Sequence, residues 1–407
     1  MFFRKVLFWL HLAAGARAGL VIAIMSFTGA VLAFEHEIVT WAERDVRRVE
    51  APIPAAPLPL DELLARARAT AAARATDSPR RVAGVTVSSD PGVALVVDFG
   101  REAGEYLVDP YRGEVRVPVT TRTHDFMHVM EDWHRRLAAT GEHRDTGRAI
   151  TGAANAVFLF LAVSGLWLWW PRAWSARVLR PSLWFTRGAS GRARDWNWHN
   201  VVGFWSLPVL IVLTTTGLAI SYRWASDLAY RAVGEAPPAP GQAPLPDVTI
   251  ERPAAGERLT FSAALARFQA AAPGWTEITL REGLPPRRGP AAPAGAEATP
   301  PAGPRRPQPY SATIRANDGS PIFATSQLVL HPYSGEILSR TGYADQSTGR
   351  QVRAWLRYLH TGQALGWPGQ LIAGLACLGA CVLVYTGFAL SWRRFFGRPS
   401  RPGSAGT

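Results

Sequence analysis

The sequence contains few cysteines, two in 407 residues. Cys377 and Cys381 stand four residues apart inside one apolar run, so they share one face of a helix. We interpret them as packing residues rather than as a disulfide or a metal-binding pair, because free cysteine behaves as a small hydrophobic residue. The polar segments contain no cysteine, which excludes a disulfide framework for them.

Two common cofactor or catalytic motifs are also missing. No Gly-x-Gly-x-x-Gly follows a strand-like segment, so no nicotinamide- or flavin-binding domain is predicted. His36-Glu37 is followed by Ile38-Val39-Thr40 rather than by the rest of a His-Glu-x-x-His motif, which argues against a zinc peptidase.

Charge is nearly absent from four apolar runs, in which the only charged residue is Arg17. They span about 12–34, 149–170, 201–222 and 371–392. Each is close to the ~20 residues that a helix needs to cross the hydrocarbon layer. A cleavable signal peptide is the alternative for residues 1–34, but the stretch is longer than a signal's apolar region and no small-residue cleavage site follows it. The pattern predicts an α-helical membrane protein with four transmembrane helices.

Arginine is unevenly distributed around these runs. The loop between the second and third runs has six arginines before its first acid, Asp195, and more basic residues precede the first run and follow the fourth. By the positive-inside rule both termini and this loop are cytoplasmic, and residues 35–148 and 223–370 are extracytoplasmic. The formal net charge of +13 is therefore interpreted as a topology signal, and no nucleic-acid partner is predicted.

The two extracytoplasmic segments contain similar phrases. Asp109–Val115 and His331–Ile337 each follow a strand-like run and each contain Pro-Tyr-x-Gly-Glu, which predicts a hairpin turned at the glycine. An amphipathic helix is predicted upstream of each, at 60–75 and 261–271. Each segment is therefore predicted to form a small α+β module.

The apolar runs repeat as well. A spacing of 18 residues separates four pairs: His11 and Gly29, His199 and Gly217, Gly147 and Gly165, and Gly369 and Gly387. The first run is thus equivalent to the third, and the second to the fourth. Because each half starts and ends on the same side, the halves are predicted to be parallel repeats about an axis along the membrane normal.

The predicted organisation alternates membrane helices with polar segments. Its bounds are helix 1 at 1–36, module 1 at 37–133, helix 2 at 134–172, the Arg-rich loop at 173–198, helix 3 at 199–222, module 2 at 223–358, helix 4 at 359–394 and the tail at 395–407. Residues 285–308 are rich in Pro, Ala and Gly and are predicted to be a disordered insertion in module 2.

Four of the nine histidines occupy related positions in the two halves. His11 and His199 begin the first and third runs, and His134 and His360 lie near the outer ends of the second and fourth. Two facing imidazoles can supply both axial ligands of a six-coordinate haem. At about 1.5 Å per residue, the two pairs would lie roughly 25 Å apart along the normal. We therefore predict two haems b.

Other side chains are weaker candidates. Arg17, inside the first span, is predicted either to pair with a haem propionate or to reach back to the inner surface. His36 is a candidate outer ligand or substrate residue. His124 and His128, one helical turn apart, are candidate metal ligands or replacements for His134, and the alternative for these two is a solvated helix face.

Several motifs together carry a resemblance to a known family. They are Trp9-Leu10-His11, Gly165-Leu166-Trp167-Leu168-Trp169-Trp170-Pro171-Arg172, Trp198-His199-Asn200 and Leu359-His360-Thr361-Gly362. With them the sequence resembles the PepSY-associated transmembrane helix family, the iron-regulated inner-membrane proteins of bacteria. The resemblance implies PepSY-like modules outside the bacterial inner membrane and, in members linked to siderophore uptake, di-haem reduction of ferric siderophore iron in the periplasm. The Pro-rich insertion departs from the compact family module.

Three functions remain open at this point. The first is an oxidoreductase that passes electrons to a ferric siderophore or another ferric chelate, from a quinol in the membrane lipid or from a separate cytoplasmic reductase. The second is a PepSY protein that binds peptide or restrains a peptidase without redox activity. The third is a transporter, which the parallel repeat favours. Only the first accounts for the four paired histidines, and it is our prediction.

Overall fold

The computed structural model describes residues 2–53, 56–74, 81–100, 104–117, 121–171, 173–239, 250, 256–284 and 307–396. It divides into two compact units, one formed by residues 1–37, 123–236 and 348–407 and the other by residues 38–122 and 237–347. The predicted insertion at 285–308, apart from Pro307 and Gln308, and the tail after Phe396 lie outside the described residues.

Four long helices dominate the first unit. They are α1 (Phe2–Leu32), α6 (Arg144–Trp169), α8 (Gly191–Ser221) and α12 (Gly366–Phe395). Each is long and apolar enough to cross a membrane, α6 and α12 together with the short 3₁₀ turns before them. Helix α6 ends where Trp170 precedes Pro171, since a residue before proline disfavours helical angles. The prediction of a four-span membrane protein is confirmed at this level.

The long helices form a ring of neighbours. Helix α1 packs against α6 and α12, and α8 packs against the same two helices. Glycine lets these helices approach each other closely. A Cβ placed on Gly19 would lie 2.8 Å from the Phe388 ring, and one on Gly379 would lie 2.5 Å from the Ser206 hydroxyl. In this order, α1 and α8 occupy opposite corners of the bundle.

Shorter helices complete this unit and differ from expectation at two places. They include α5 (Thr121–Arg136), α7 (Ala176–Leu183), α9 (Arg223–Ala232) and α11 (Thr348–His360), while α2 (Glu35–Ala42) begins in this unit and ends in the second. His134 and His360 therefore belong to α5 and α11, not to the second and fourth spans that were predicted to begin with them. Left-handed residues interrupt the chain after each helix: Leu137 and Ala138 with φ of 53° and 56°, and Gly362 with φ of 76°.

Gly147 and Gly369, which the 18-residue spacing identified, make these interruptions possible. A Cβ on Gly147 would lie 2.2 Å from the Arg136 carbonyl oxygen, and one on Gly369 would lie 2.3 Å from that of Gly362. The turn that ends each short helix is thus folded directly onto the start of the following span, and only glycine leaves room for it.

The second unit is built on one antiparallel sheet of eight strands. Its order is β4-β3-β2-β1-β5-β6-β7-β8. The strands are β1 (Gly84–Ser88), β2 (Leu95–Asp98), β3 (Glu105–Val108), β4 (Val115–Arg116), β5 (Trp275–Glu282), β6 (Tyr310–Ala316), β7 (Ser326–Leu330) and β8 (Ile337–Thr341). The two segments do not form separate sheets as predicted, because β1 pairs with β5, with Val85 opposite Leu280.

Two helices pack on this sheet, α4 (Leu60–Ala73) and α10 (Phe261–Ala271), close to the predicted ranges. The short α3 (Arg44–Arg47) precedes them in the chain. Leu64 and Phe268 are fully buried against Val85, Ile278 and their neighbours in a single core. That core, rather than either half alone, holds the unit together.

The two predicted hairpin turns are confirmed. Gly113 and Gly335 have φ of 69° and 72°, which glycine adopts without strain. In the first turn Asp109 Oδ1 accepts the backbone N–H of Tyr111 at 2.8 Å, and in the second His331 Nδ1 accepts that of Ser334 at 3.1 Å. His331 is therefore a structural turn residue.

Candidate functional site

Two of the predicted histidines lie on opposite helices of the bundle. His11, on α1, has its Nδ1 2.8 Å from the hydroxyl of Ser164 on α6. His199, on α8, has its Nδ1 2.9 Å from the hydroxyl of Thr386 on α12. We call His11 and His199 the inner pair.

The other two histidines face each other directly. His134 places Nδ1 2.9 Å from the Met25 carbonyl oxygen and 3.1 Å from the Thr28 hydroxyl. His360 places Nδ1 2.9 Å from the Leu213 carbonyl oxygen and 3.2 Å from the Thr216 hydroxyl. The two ring centroids are 6.3 Å apart with planes inclined at 56°. We call His134 and His360 the outer pair.

The hydroxyl partners fix the position of the proton on each ring. A hydroxyl has one hydrogen, and each of the four gives it to a carbonyl of its own helix, as Thr28 does to Ile24 and Thr386 to Val382, both at 2.8 Å. Ser164 and Thr216 do the same toward Leu161 and Val212. The hydroxyl oxygen must then accept a hydrogen from the imidazole. We therefore assign the proton of all four rings to Nδ1, as the carbonyl partners of His134 and His360 also require, and this assignment leaves Nε2 free to bind a metal.

A glycine follows each hydroxyl residue and makes room for the ring. The four hydroxyl–glycine pairs, which we call cradles, are Ser164-Gly165 for His11, Thr386-Gly387 for His199, Thr28-Gly29 for His134 and Thr216-Gly217 for His360. A Cβ on Gly29 or Gly217 would lie 3.1 Å from the Cε1 atom of the ring, and on Gly165 or Gly387 it would lie 3.5 or 3.7 Å away. A side chain at the outer cradles would therefore displace the imidazole.

The surroundings keep the outer imidazoles neutral. Burial lowers the pKa of His134 to about 4, and the neighbouring His360 adds to the effect. Burial also lowers the pKa of His360, although its hydrogen bond to Leu213 opposes the change. Neutral imidazole with a bare Nε2 is the form that ligates metals.

The geometry fits a metal held between two histidines inside a macrocycle. A first-row metal holds an imidazole nitrogen at about 2 Å, so two nitrogens on opposite sides of it lie about 4 Å apart and the ring centroids about 6 Å apart. The outer centroids, 6.3 Å apart, meet this requirement. Across the described part of the chain, no group of three or more His, Cys, Asp or Glu side chains is arranged to hold a metal. A haem iron needs only two ligands from the protein, because the four porphyrin nitrogens supply the others.

One known protein family matches the part of the chain that contains this whole arrangement. The family described as PepSY-associated TM region matches residues 8–394, which include α6 and α8, most of α1 and α12, the sheet and the four histidines. The chain belongs to this family. No match was found among curated proteins.

The remaining candidates of this PepSY-associated protein lie apart from the cradles. His36, on α2, and Arg17, on α1, are exposed. His128 is 76% exposed, with Nδ1 4.0 Å from Glu131 on the same helix. None of these three side chains takes part in the cradle hydrogen bonds. Cys377 and Cys381 are both free thiols.

Sequence reasoning missed the residues that hold the imidazoles. The glycines of the cradles had been found by their spacing, but the hydroxyls had not, although Ser or Thr precedes each glycine. It also missed Asp195, which is 1% exposed and lies one turn before His199. Arg194 contacts one of its oxygens at 2.8 Å and Arg393 the other at 3.0 Å. The end of this PepSY-associated bundle that carries His199 therefore contains a buried carboxylate shared by two guanidinium groups.

Proposed function

We propose that the protein is a di-haem electron carrier of the bacterial inner membrane that reduces ferric siderophore or another ferric chelate in the periplasm. The observation that carries this proposal is the set of four cradles, which give four histidines the same tautomer and present four free Nε2 atoms as two pairs. Packing alone does not require this, because a histidine buried for structural reasons has no need to keep one nitrogen free.

His11 and His199 would be the axial ligands of an inner haem b, and His134 and His360 those of an outer one. Bound there, each haem would supply reversible uptake of one electron. The chain itself contributes the orientation of the ligands. The cradle hydroxyls and the Met25 and Leu213 carbonyls hold the Nδ1 protons, and such partners typically raise ligand basicity and fix the ring.

Arg353 is the best candidate to meet a carboxylate of the outer cofactor. It lies two turns before His360 on α11, and Arg357 stands between them on the same face. Burial and the charge of Arg357 lower the pKa of Arg353, and no described carboxylate forms an ion pair with it. A half-buried guanidinium group without an acid favours an anionic ligand. Arg17, exposed on α1, stays a weaker candidate for the inner cofactor.

The distance between the two pairs suits transfer across a membrane. His11 and Thr28, which holds His134, are both on α1 and are separated by 17 residues, or about 25 Å of helix. With the arginine-rich loop on the inside, both termini are cytoplasmic and the sheet unit is periplasmic. Reporter fusions at Thr407 and within 237–249 should then report opposite sides, and identical sides would refute this topology.

The repeat layout belongs to the same proposal. We infer two parallel repeats, each contributing one span pair, one inner and one outer histidine, and half of the sheet as a PepSY-like module. The equivalent cradles and the central pairing of β1 with β5 support it.

Ferric reduction in proteoliposomes tests the function. With an electron donor on the inside and a ferric chelate outside, His360→Ala should abolish chelate reduction while the inner haem stays reducible by the donor. His199→Ala should leave an outer haem that dithionite reduces but the donor does not. His143→Ala, at a histidine whose side chain is 77% exposed, is the control and should keep full activity. If His199→Ala and His360→Ala both keep full donor-driven chelate reduction, electrons do not pass through the two histidine pairs and the proposal is wrong.

A further inference from the structure

A groove opens on the side of the helix bundle next to the inner pair. It has a volume of about 470 Å³ and lies between α1 and α12. Its walls are mostly apolar and include Leu12, Ala16, Tyr385, Phe388 and Trp392. The three aromatic side chains are all exposed on the bundle surface, where lipid would surround a membrane-spanning helix.

The groove shares its wall with the groups that hold the inner histidines. Leu12 follows His11 in the chain, Tyr385 precedes Thr386, and Phe388 follows Gly387. Thr386 and Gly387 form the cradle of His199. A molecule in the groove would therefore lie at the same height along α1 and α12 as His11 and the cradle of His199.

One end of the groove is polar and positively charged. Arg393 lines it, together with the Ser391 hydroxyl, and pairs with buried Asp195 at 3.0 Å. Arg194 contacts the other oxygen of Asp195 at 2.8 Å, so two guanidinium groups share one carboxylate and the cluster keeps one positive charge. That charge suits an oxygen that becomes negative when it loses a proton.

We infer that this groove binds a membrane quinol, which is the electron donor to the inner pair. The inference rests on the proposed function and adds the donor to it. A quinol has a flat ring for the aromatic wall, an apolar tail for the lipid, and two hydroxyl groups for the polar end. An acyl chain of a phospholipid would fill the apolar wall but would gain nothing from the neighbouring histidines.

Oxidation of one quinol supplies the electrons for two ferric chelates. One quinol is oxidised to a quinone and loses two electrons and two protons. The two electrons reduce two ferric chelates, one electron each, and the two protons pass to water on the cytoplasmic side. Arg393 and Ser391 orient the quinol oxygen, and Asp195 holds Arg393 in place.

Filling the groove is the direct test. Ala16→Phe adds a ring to an exposed groove position, and Ala156→Phe adds the same ring to an exposed position on α6, outside the groove. Haem reduction by a short-chain ubiquinol is followed by stopped-flow absorbance of the full-length protein. We expect Ala16→Phe to slow it at least tenfold, with unchanged haem content and unchanged dithionite reduction, and Ala156→Phe to match the unaltered chain. A photoreactive azidoquinone should label peptides of α1 and α12 in the unaltered chain and lose that labelling in Ala16→Phe.

The other outcomes overturn the inference in distinguishable ways. Equal rates in both variants would mean that the groove holds lipid only. Loss of haem in Ala16→Phe would mean that it holds an edge of the cofactor. Haem that dithionite reduces but quinol does not would exclude the quinol while leaving the proposed function intact. A protein without haem would overturn the proposed function, and this inference with it.

Discussion

At the residue scale, the decisive feature is how each imidazole is held rather than the presence of histidine. The 18-residue spacing in the sequence identified His11, His199 and the four glycines, whereas His134 and His360 were identified from their looser positions before Gly147 and Gly369. It could not identify the hydroxyl partners, since His11 and Ser164 meet only when α1 packs on α6. The Ser/Thr-Gly dipeptide of each cradle is visible in the sequence, but the histidine that it holds is determined by the packing of the helices.

The cradles differ in one respect that can be tested. His134 Nδ1 has two acceptors, the Thr28 hydroxyl and the Met25 carbonyl, whereas Ser164 is the hydrogen-bond partner found for His11 Nδ1. Removing a partner of this kind typically weakens metal binding by about 10- to 100-fold. We therefore expect Ser164→Ala to weaken the inner haem to this extent and Thr28→Val to affect the outer haem much less.

Haem titration of the two variants, with each haem identified from its redox midpoint, measures the difference. Equal losses in both variants, or a greater loss in Thr28→Val, would contradict the assignment of the Nδ1 proton to these partners.

At the element scale, the local sequence pattern predicted the helices and hairpins, but it did not predict how the two halves of the sheet pair or where the helices break. The helices near 60–75 and 261–271 and the two glycine turns depend on neighbouring residues, and the structure contains them. The pairing of β1 with β5 joins residues almost 200 positions apart, for which the sequence has no local signal. The separation of His134 and His360 from the spans was missed for a related reason, because Leu137 and Ala138 adopt left-handed angles that neither residue type favours.

The side chain of Asp61 links α4 to α10, the helices of the two halves of the sheet unit. Asp61, in the first turn of α4, accepts the backbone N–H groups of Phe261 and Ser262 at the start of α10, at 3.0 and 3.1 Å. Loss of a helix cap costs about 1 kcal/mol, or about fivefold in an opening equilibrium. Asp61→Ala should therefore lower the hydrogen-exchange protection of the first turns of α10 about fivefold. Glu62→Ala, which removes the same charge one residue away, should leave α10 unchanged.

The effect should also depend on pH. Burial alone would raise the pKa of Asp61, but hydrogen bonds from Ser262, Thr260 and Phe261 lower it below its ordinary value of 3.8. A carboxyl with a depressed pKa stabilises the fold above its unfolded pKa and loses this contribution as the pH falls through the folded value. The difference in α10 protection between Asp61→Ala and the unaltered chain should therefore be full near neutral pH and vanish in strong acid. A difference that persists there would mean that the carboxylate is not the cap.

At the scale of the whole molecule, the family match and the four long helices place the chain in a membrane, and the proposed function rests on the four cradles. The sequence predicted the four spans from their apolar length. It could not predict which helices are neighbours, and this ring of contacts is what brings each histidine to its cradle. The proposed path is a quinol at the inner end, two haems, and a ferric chelate outside.

The most direct test of this account is the haem content of the purified protein after expression with ample haem, read from the dithionite-reduced spectrum. We expect two low-spin b-type haems per chain, one in His134→Ala, and two in His128→Ala, which removes an exposed histidine from the same helix. A ratio near zero in the unaltered chain, or equal haem content in the two variants, would contradict the claim that the paired histidines are haem ligands.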